Sequence, residues 1–426
     1  MGTETAKPQG INNFGKHGWG IVVYVFFLFW ISAGPVDLLN VSVDAFAGIH
    51  GWDANGLLVF SSIGVWCTVV LNIIMGRWVV KKGGKIPTVV FLLLLGVFFI
   101  FNGFANQVAL YGLAVVLLTA VSGGVNLIST NTYMSNWFPR KKGIALGWSS
   151  MGMCFSGVVS IPLFAALLAR TQSTVAPYLF FGAAAIVIAL ITLFGVKQLP
   201  EEIGAFPDNV PENPEKLARD REEMERYVSD WTVGRLLKNK QVWLVSVSFG
   251  LLFIALMATM TQYVPRFVAA GFGQEESILW LSITSALGIP GSYLWGLLDQ
   301  KTNTKRTVVI YAVYMMAMQF LTAVFFDNRT VTLVLAVLIG ILIGGIGNLF
   351  PSMVIQIFGR YDFRAANSVC VPILTAIRAC TFVIIAVVLG ATMGNYRILF
   401  VILGVLSAVA VVLALGLSNK VIGKVA

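Results

Sequence analysis

Twelve apolar runs, each long enough to cross a bilayer as a helix and divided by short polar breaks, constrain this chain more than any other feature. A hydrocarbon core about 30 Å thick takes about 20 apolar residues in helical form. Such runs are expected near 18–46, 54–75, 87–104, 108–136, 143–169 and 175–196, then near 241–268, 277–298, 306–326, 331–357, 365–392 and 396–418. Of the 426 residues 58% are hydrophobic and 11% are charged. A soluble domain carries about 25% charged residues, and a soluble protein this apolar would expose large apolar patches. The expected fold class is therefore an all-α membrane protein of twelve transmembrane helices. Six would lie in an N-terminal half (1–198) and six in a C-terminal half (241–426), joined by a cytoplasmic linker at 199–240. The polar start and the long aromatic first run differ from a cleavable signal, so that run is expected to remain as a helix.

Lysine and arginine orient the spans. Arg77, Lys81, Lys82 and Lys85 follow span two, and Arg140, Lys141 and Lys142 follow span four. Lys301, Lys305 and Arg306 follow span eight, and Arg360 and Arg364 follow span ten. The other side holds only Arg170, Arg266, Arg329 and Arg397. The positive-inside rule puts the rich side in the cytoplasm, with both termini and the linker. The expected location is the cytoplasmic (inner) membrane. The net charge of +10 is read as this loop charge, with the lipid bilayer as surroundings and no nucleic acid as partner.

The linker differs in composition from the spans. It holds ten of the nineteen acidic residues, and Pro200, Pro207, Pro211 and Pro214 make its first half irregular. Residues 215–230 are expected to form a short charged surface helix, and the whole is read as a solvated connection. Cys67, Cys154, Cys370 and Cys380 lie in apolar runs without metal-ligand spacing, so buried free thiols are expected. No phosphate-binding loop or His-Glu-x-x-His appears, and His17 and His50 are the only histidines. An enzyme, a cofactor or a metal site is accordingly not expected.

The two halves echo each other. Gly76–Lys85 after span two resembles Gly296–Lys305 after span eight. Asn126 in span four matches Asn348 in span ten at nearly the same offset along the chain. A parallel repeat of six-helix units places a substrate site between the halves near the bilayer midplane.

These loops resemble the signature of the major facilitator superfamily, a Gly, then an Asp, then basic residues. Val80 stands where the first acidic residue is usual, and Asp299 is present in the second copy. The resemblance implies a cytoplasmic gate, for which Gly76, Arg77, Asp299, Arg306 and Arg140 are the candidates. His17-Gly-Trp19, the run Asn136-Trp137-Phe-Pro139-Arg-Lys-Lys-Gly143 and the run Leu199-Pro200-Glu-Glu-Ile-Gly204 are similar to the oxalate/formate antiporter and monocarboxylate-porter branch. That branch implies a carboxylate-binding basic residue in span eleven and, commonly, function as a monomer.

Charge inside a membrane is costly, about 2.5–3.5 kcal/mol on insertion scales, and marks functional candidates. Arg378 is the one basic residue clearly mid-span, and it matches the branch's basic residue by span and depth. A guanidinium holds a carboxylate through two parallel N–H···O bonds. The plainer role is a structural Arg held by carbonyls or paired with Asp37. Asp37 follows Gly34-Pro35-Val36, where the helix is expected to kink. It could carry a coupling proton, bind a cationic group, neutralise Arg378 when the site is empty, or merely line the outer mouth. Neutral candidates are Asn126, Tyr133, Asn348, Gln262 and Trp30, for each of which interhelical hydrogen bonding is the rival role. The glycines at 143, 147, 152 and 157 are expected to allow close helix packing.

Span eight has no charge before Asp299, where related anion porters often carry an Arg. One mid-membrane Arg suits a monoanion better than a dianion. The expected function is secondary active transport of a small, monocarboxylate-like organic anion by alternating access, as proton symporter or anion exchanger. The alternative is a transporter of the same fold for a zwitterion, a larger amphipathic acid, a nucleoside or a drug.

Overall fold

A computed structural model describes residues 10–211, 219, 222–224 and 226–423. Among the described residues the chain is helical and contains no strand. Eleven helical runs are long and apolar enough to cross a membrane. One of them, Arg329–Ala391, has 63 residues, roughly 95 Å at 1.5 Å per residue and about three times the depth of a bilayer core. It divides at Gly359, whose φ of 72° and ψ of 178° suit a residue without a Cβ. Spans ten (329–358) and eleven (360–391) result, so the spans number twelve. The others are Gly15–Asp37, Ala54–Lys82, Lys85–Gly103, Val108–Trp137, Lys142–Thr171, Val175–Phe194, Lys240–Thr261, Gln274–Lys301, Thr304–Val324 and Tyr396–Leu415. Their outward faces carry exposed apolar side chains such as Val59, Val187 and Val412, which a bilayer covers. The chain is a multi-pass membrane protein.

Two spans are broken at equivalent depths. Pro35 lacks an N–H and crowds the preceding turn, and span one ends at Asp37. A second segment, Leu39–His50, continues it. Span seven stops at Thr261 and resumes as Tyr263–Ala269 after Gln262; Pro265 cannot donate to the Thr261 carbonyl, which accounts for the break. Spans four and five each contain one π-helical turn, Val125–Ser129 and Ser156–Ser160. In span five Pro162 cannot donate to the Val158 carbonyl, which accounts for the irregularity.

The packing repeats. Spans three and six, two and four, and one and five pair within the first six; spans nine and twelve, eight and ten, and seven and eleven pair within the last six. The two ends of the described chain lie on the basic face. Lys141 Nζ donates to the Asn13 carbonyl at 2.7 Å, and Ile422 N donates to the Ile357 carbonyl at 2.7 Å.

The described linker is docked in part, although residues such as Glu222, Arg226 and Val228 are exposed. Glu201 and Asp208 are buried. The Asp208 carboxylate accepts from the backbone N–H groups of Arg140 and Lys141 at 2.7–3.2 Å. Tyr227 Oη and Ser229 Oγ donate to Asp362. The expected helix at 215–230 falls partly outside the described residues; 222–224 and 226 are helical. All four cysteines are free thiols; Cys154 and Cys370 are buried as expected, while Cys67 and Cys380 are only half-buried.

Candidate functional site

On the basic face the two sets of six spans meet closely. A Cβ at Gly147 in span five would lie 2.9 Å from the Ser292 carbonyl and 3.1 Å from Gly296 Cα in span eight. A Cβ at Gly76 in span two would lie 2.9 Å from Ser368 Cβ in span eleven. These two contacts are repeat-related. Gly296 follows Gly76, and Ser368 follows Gly147, at nearly the offset that separates Asn126 from Asn348. The echo seen in sequence is thus a two-fold arrangement in space. Polar bonds join the same ends. Lys142 Nζ donates to Gln356 Oε1 at 2.7 Å, and Gln300 Nε2 donates to the Arg140 carbonyl at 3.2 Å. Arg360 Nη2 lies 2.8 Å from Glu201 Oε1 in a buried ion pair. Trp148 and Tyr293 pack edge to face at 5.0 Å, with Asn12 bonded to both.

Asp299 is buried in this seal. Its carboxylate accepts from Ser352 Oγ and lies against Gly143. Gly76 is in the seal as well, while Arg77, Arg140 and Arg306 have exposed side chains; of these Arg140 takes part through its backbone. Val80 is exposed, so the first copy of the loop signature lacks both the charge and the buried position that Asp299 has. Glu201, Arg360, Lys142 and Gln356 were not singled out from the sequence. Glu201 could have been, since it opens the Pro200-Glu-Glu run.

Two contacts mark the inner end of the seal among the described residues. Asn72 Nδ2 donates to Thr375 Oγ1 at 3.1 Å between spans two and eleven. Cys154 of span five meets Gly288 of span eight. Among the described residues no side-chain hydrogen bond joins the two sets beyond this level. One turn past Thr375, on the same helix face, is Arg378. Half a turn past Cys154 is Ser156, and a Cβ on Gly157 would meet nothing within 4 Å. The π-helical turn of span five still runs beside span eight, but among the described residues the polar bonds between the sets end here, and the candidate residues gather around this opening.

Arg378 is half-buried, with its guanidinium 5.4 Å from the Phe253 ring centroid of span seven. Among the described residues the guanidinium has neither an ion pair nor a hydrogen bond, and Nε is buried without an acceptor. Asp37 approaches Ser156, and the described ion pairs do not join it to Arg378. Ser156 stands to Arg378 in sequence as Asn126 stands to Asn348. The carboxylate and the guanidinium therefore occupy corresponding places in the two halves of the repeat.

The neutral candidates divide. Asn126, on the π-helical turn of span four, donates to Ser32 Oγ at 2.9 Å, and Trp30 Nε1 donates to Ser160 Oγ on the other π-helical turn at 2.9 Å. Both are half-buried, Trp30 on Asp37's own span and Asn126 beside it. Gln262, at the break of span seven, accepts from Tyr396 Oη at 3.2 Å. Asn348 is buried and donates to the Ser292 carbonyl at 2.9 Å, which ties it to span eight in the seal. Tyr133 is fully buried edge to face against Tyr24 and is closed off in this conformation. Of the four span-five glycines, those at 143, 147 and 152 sit at close approaches, and Gly157 does not.

The Major Facilitator Superfamily family model matches residues 25–371. The chain belongs to the major facilitator superfamily. Superfamily structures resemble it over nearly its whole length. The proton:xylose symporter XylE, bound to 6-bromo-6-deoxy-D-glucose, has a TM-score of 0.73 at 13% identity, covering 95% of this chain and 97% of that one. FucP in the outward conformation has a TM-score of 0.69 at 14% identity, covering 94% and 99%. At these identities the likeness speaks for the fold. Among curated proteins, the oxalate:formate antiporter of Oxalobacter formigenes is 22% identical over 289 residues, 67% of this chain and 64% of that protein. The match thus spans less than two thirds of that relative. This superfamily member is a membrane transporter, with its basic face sealed and its polar mid-membrane residues above the seal.

Proposed function

We propose that this transporter moves a small organic monoanion across the cytoplasmic membrane, as a proton symporter or an anion exchanger. The single observation that carries the reading is Arg378. A guanidinium is kept at mid-membrane depth, beside the opening, without an ion pair among the described residues. Such a charge is expensive to hold, and a carboxylate ligand offsets the cost through two parallel bonds. The curated relative's name, an oxalate:formate antiporter, supports a carboxylate as substrate. Among the described residues Arg378 is the one guanidinium beside the opening, which favours one negative charge over two. The halves, 1–198 and 241–426, rock about this level while the 199–240 linker joins them. Both termini and the basic loops face the cytoplasm, so the state described is open to the outside.

Asp37, at the corresponding place in the other half, sets coupling or receives a second group. A zwitterion is the second reading, and the paired placement of Asp37 and Arg378 favours it. The test is uptake into proteoliposomes from a panel of monocarboxylates, dicarboxylates, zwitterions and neutral solutes. Arg378→Ala should abolish carboxylate uptake while the protein still purifies as a folded species. Undiminished uptake would sink the assignment. Asp37→Asn should remove the proton-gradient dependence of a symporter, and full dependence in that variant would take Asp37 out of coupling.

A further inference from the structure

Arg266 is a second cation that the fold keeps without an anion. It lies four residues past the break in span seven and is 1% exposed. Its guanidinium is 4.7–5.3 Å from the ring centroids of Tyr263, Phe267 and Phe400. None of its three side-chain nitrogens has a hydrogen-bond partner. Ring faces offset part of the cost of a buried cation, but a buried guanidinium without an acceptor is still unfavourable.

The acids on the same face narrow the choice of partner. Glu276 is held by Arg329, Asp327 by Arg397, and Asp53 accepts from Gly56 N at the start of its own helix. Glu275 belongs to the same six spans as Arg266 and moves with it. Asp44 belongs to the other six. It is exposed on Leu39–His50, the outer segment of span one, and it is in no described ion pair.

Asp44 is also the repeat counterpart of Arg266. Its separation from Arg266 along the chain equals that of Asn126 from Asn348. The breaks at Leu38 and Gln262 agree closely with that register. On the sealed face, repeat-related contacts already close about a two-fold axis. The outer segments of spans one and seven each pack against their own six, so they are free to close on each other at the other face.

We propose that Asp44 and Arg266 form an ion pair between these segments when the face opposite the basic loops closes. Opposite charges at equivalent positions make that contact self-complementary, where like charges would repel. The inference rests on alternating access but not on the identity of the substrate.

The test is a cross-link, which needs no substrate. D44C and R266C are combined in a chain whose four native cysteines are replaced by alanine, and oxidised with copper–phenanthroline in membranes. Cleavage within 199–240 then leaves the halves joined on a gel only where the disulfide has formed. Joining should rise at least tenfold when Glu201→Gln is added to destabilise the basic-face seal. Absence of joining in both backgrounds, with the protein monodisperse, overturns the pair. A charge swap covers failure of R266C to fold. D44R should slow transport of whichever substrate the panel identifies at least tenfold, and D44R/R266D should recover most of it. Parent-like rates in D44R would overturn the proposal. Failure of the parent protein to take up any carboxylate, with the cross-link still forming in the cysteine variant, would overturn only the substrate assignment.

Discussion

Glu201→Gln should shift the protein strongly toward opening at the basic face. In the sealed state the side chains of Glu201 and Arg360 are 0% and 3% exposed. Both carboxylate oxygens face one guanidinium nitrogen, at 2.8 and 3.1 Å. Arg360 Nε has no acceptor, so nothing else is placed to carry the charge once the carboxylate is gone. Removing one partner of a buried pair costs about 3–5 kcal/mol. Glu201 follows span six and Arg360 opens span eleven, so opening the face separates and hydrates them, and the penalty falls on the sealed state alone. At 1.4 kcal/mol per tenfold, the lower end of that range already moves the equilibrium about a hundredfold. The assay is labelling of a single introduced cysteine, S368C, which faces Gly76 in the seal, with an impermeant maleimide added from the basic side. Labelling should quicken by about that factor, up to the limit set by full opening. Arg360→Gln should act alike, since it strands a buried carboxylate. The double variant should return toward the parent, because two amides can bond each other without burying charge. Labelling of Glu201→Gln at the parent rate, or a double variant no slower than the singles, would refute the reasoning.

Two further outcomes follow from the same face. Gly147→Val should also favour opening, because its Cβ would press on backbone atoms at 2.9 and 3.1 Å that cannot rotate away. Overpacking of this kind costs about 1–3 kcal/mol, so S368C labelling should rise roughly five- to a hundredfold. Asp208 reports on linker docking. Burial holds its carboxyl above the ordinary carboxylate range, against the pull of the Lys141 and Arg140 N–H groups and charges. A docked pKa above the undocked value means that docking takes up a proton. The linker should therefore hold more firmly as pH falls through that raised value, with the gain complete below about 3.9. Proteolysis within 199–240, followed against pH, should show this slope in the parent and lose it in Asp208→Asn.

Much of the fold was legible because a bilayer imposes one strong rule. A run of about 20 apolar residues has few other uses, and the twelve expected runs lie close to the observed helices, even where one continuous helical run hides two spans. The break at Pro35 was legible because proline removes a donor. Pro265 and Pro162 carry the same signal for the break at Gln262 and for the π-helical turn of span five, but it was not drawn from the sequence; the π-helical turn of span four has no proline behind it. The linker was read as solvated, which overlooks the docking of its first part. Its acidic residues suggest water, yet Glu201 and Asp208 are matched to groups far away along the chain, and no local pattern announces such partners.

The repeat carried the most information about the site, and more of it than was drawn from the sequence. Two echoes located the two-fold relation, and the relation holds in the contacts of Gly76, Gly147, Gly296 and Ser368. Extending the same offset would have placed Ser156 opposite Arg378 and Asp44 opposite Arg266. It would not have shown that Asp37, from a different helix, leans on Ser156, because repeats align backbones and not charges. A strictly symmetric membrane protein would present equal charges to the axis and could not tell the ends of a polar substrate apart. Here the scaffold is nearly two-fold while its mid-membrane charges are opposite in sign, which would give the proposed substrate, with one anionic end, a single preferred orientation.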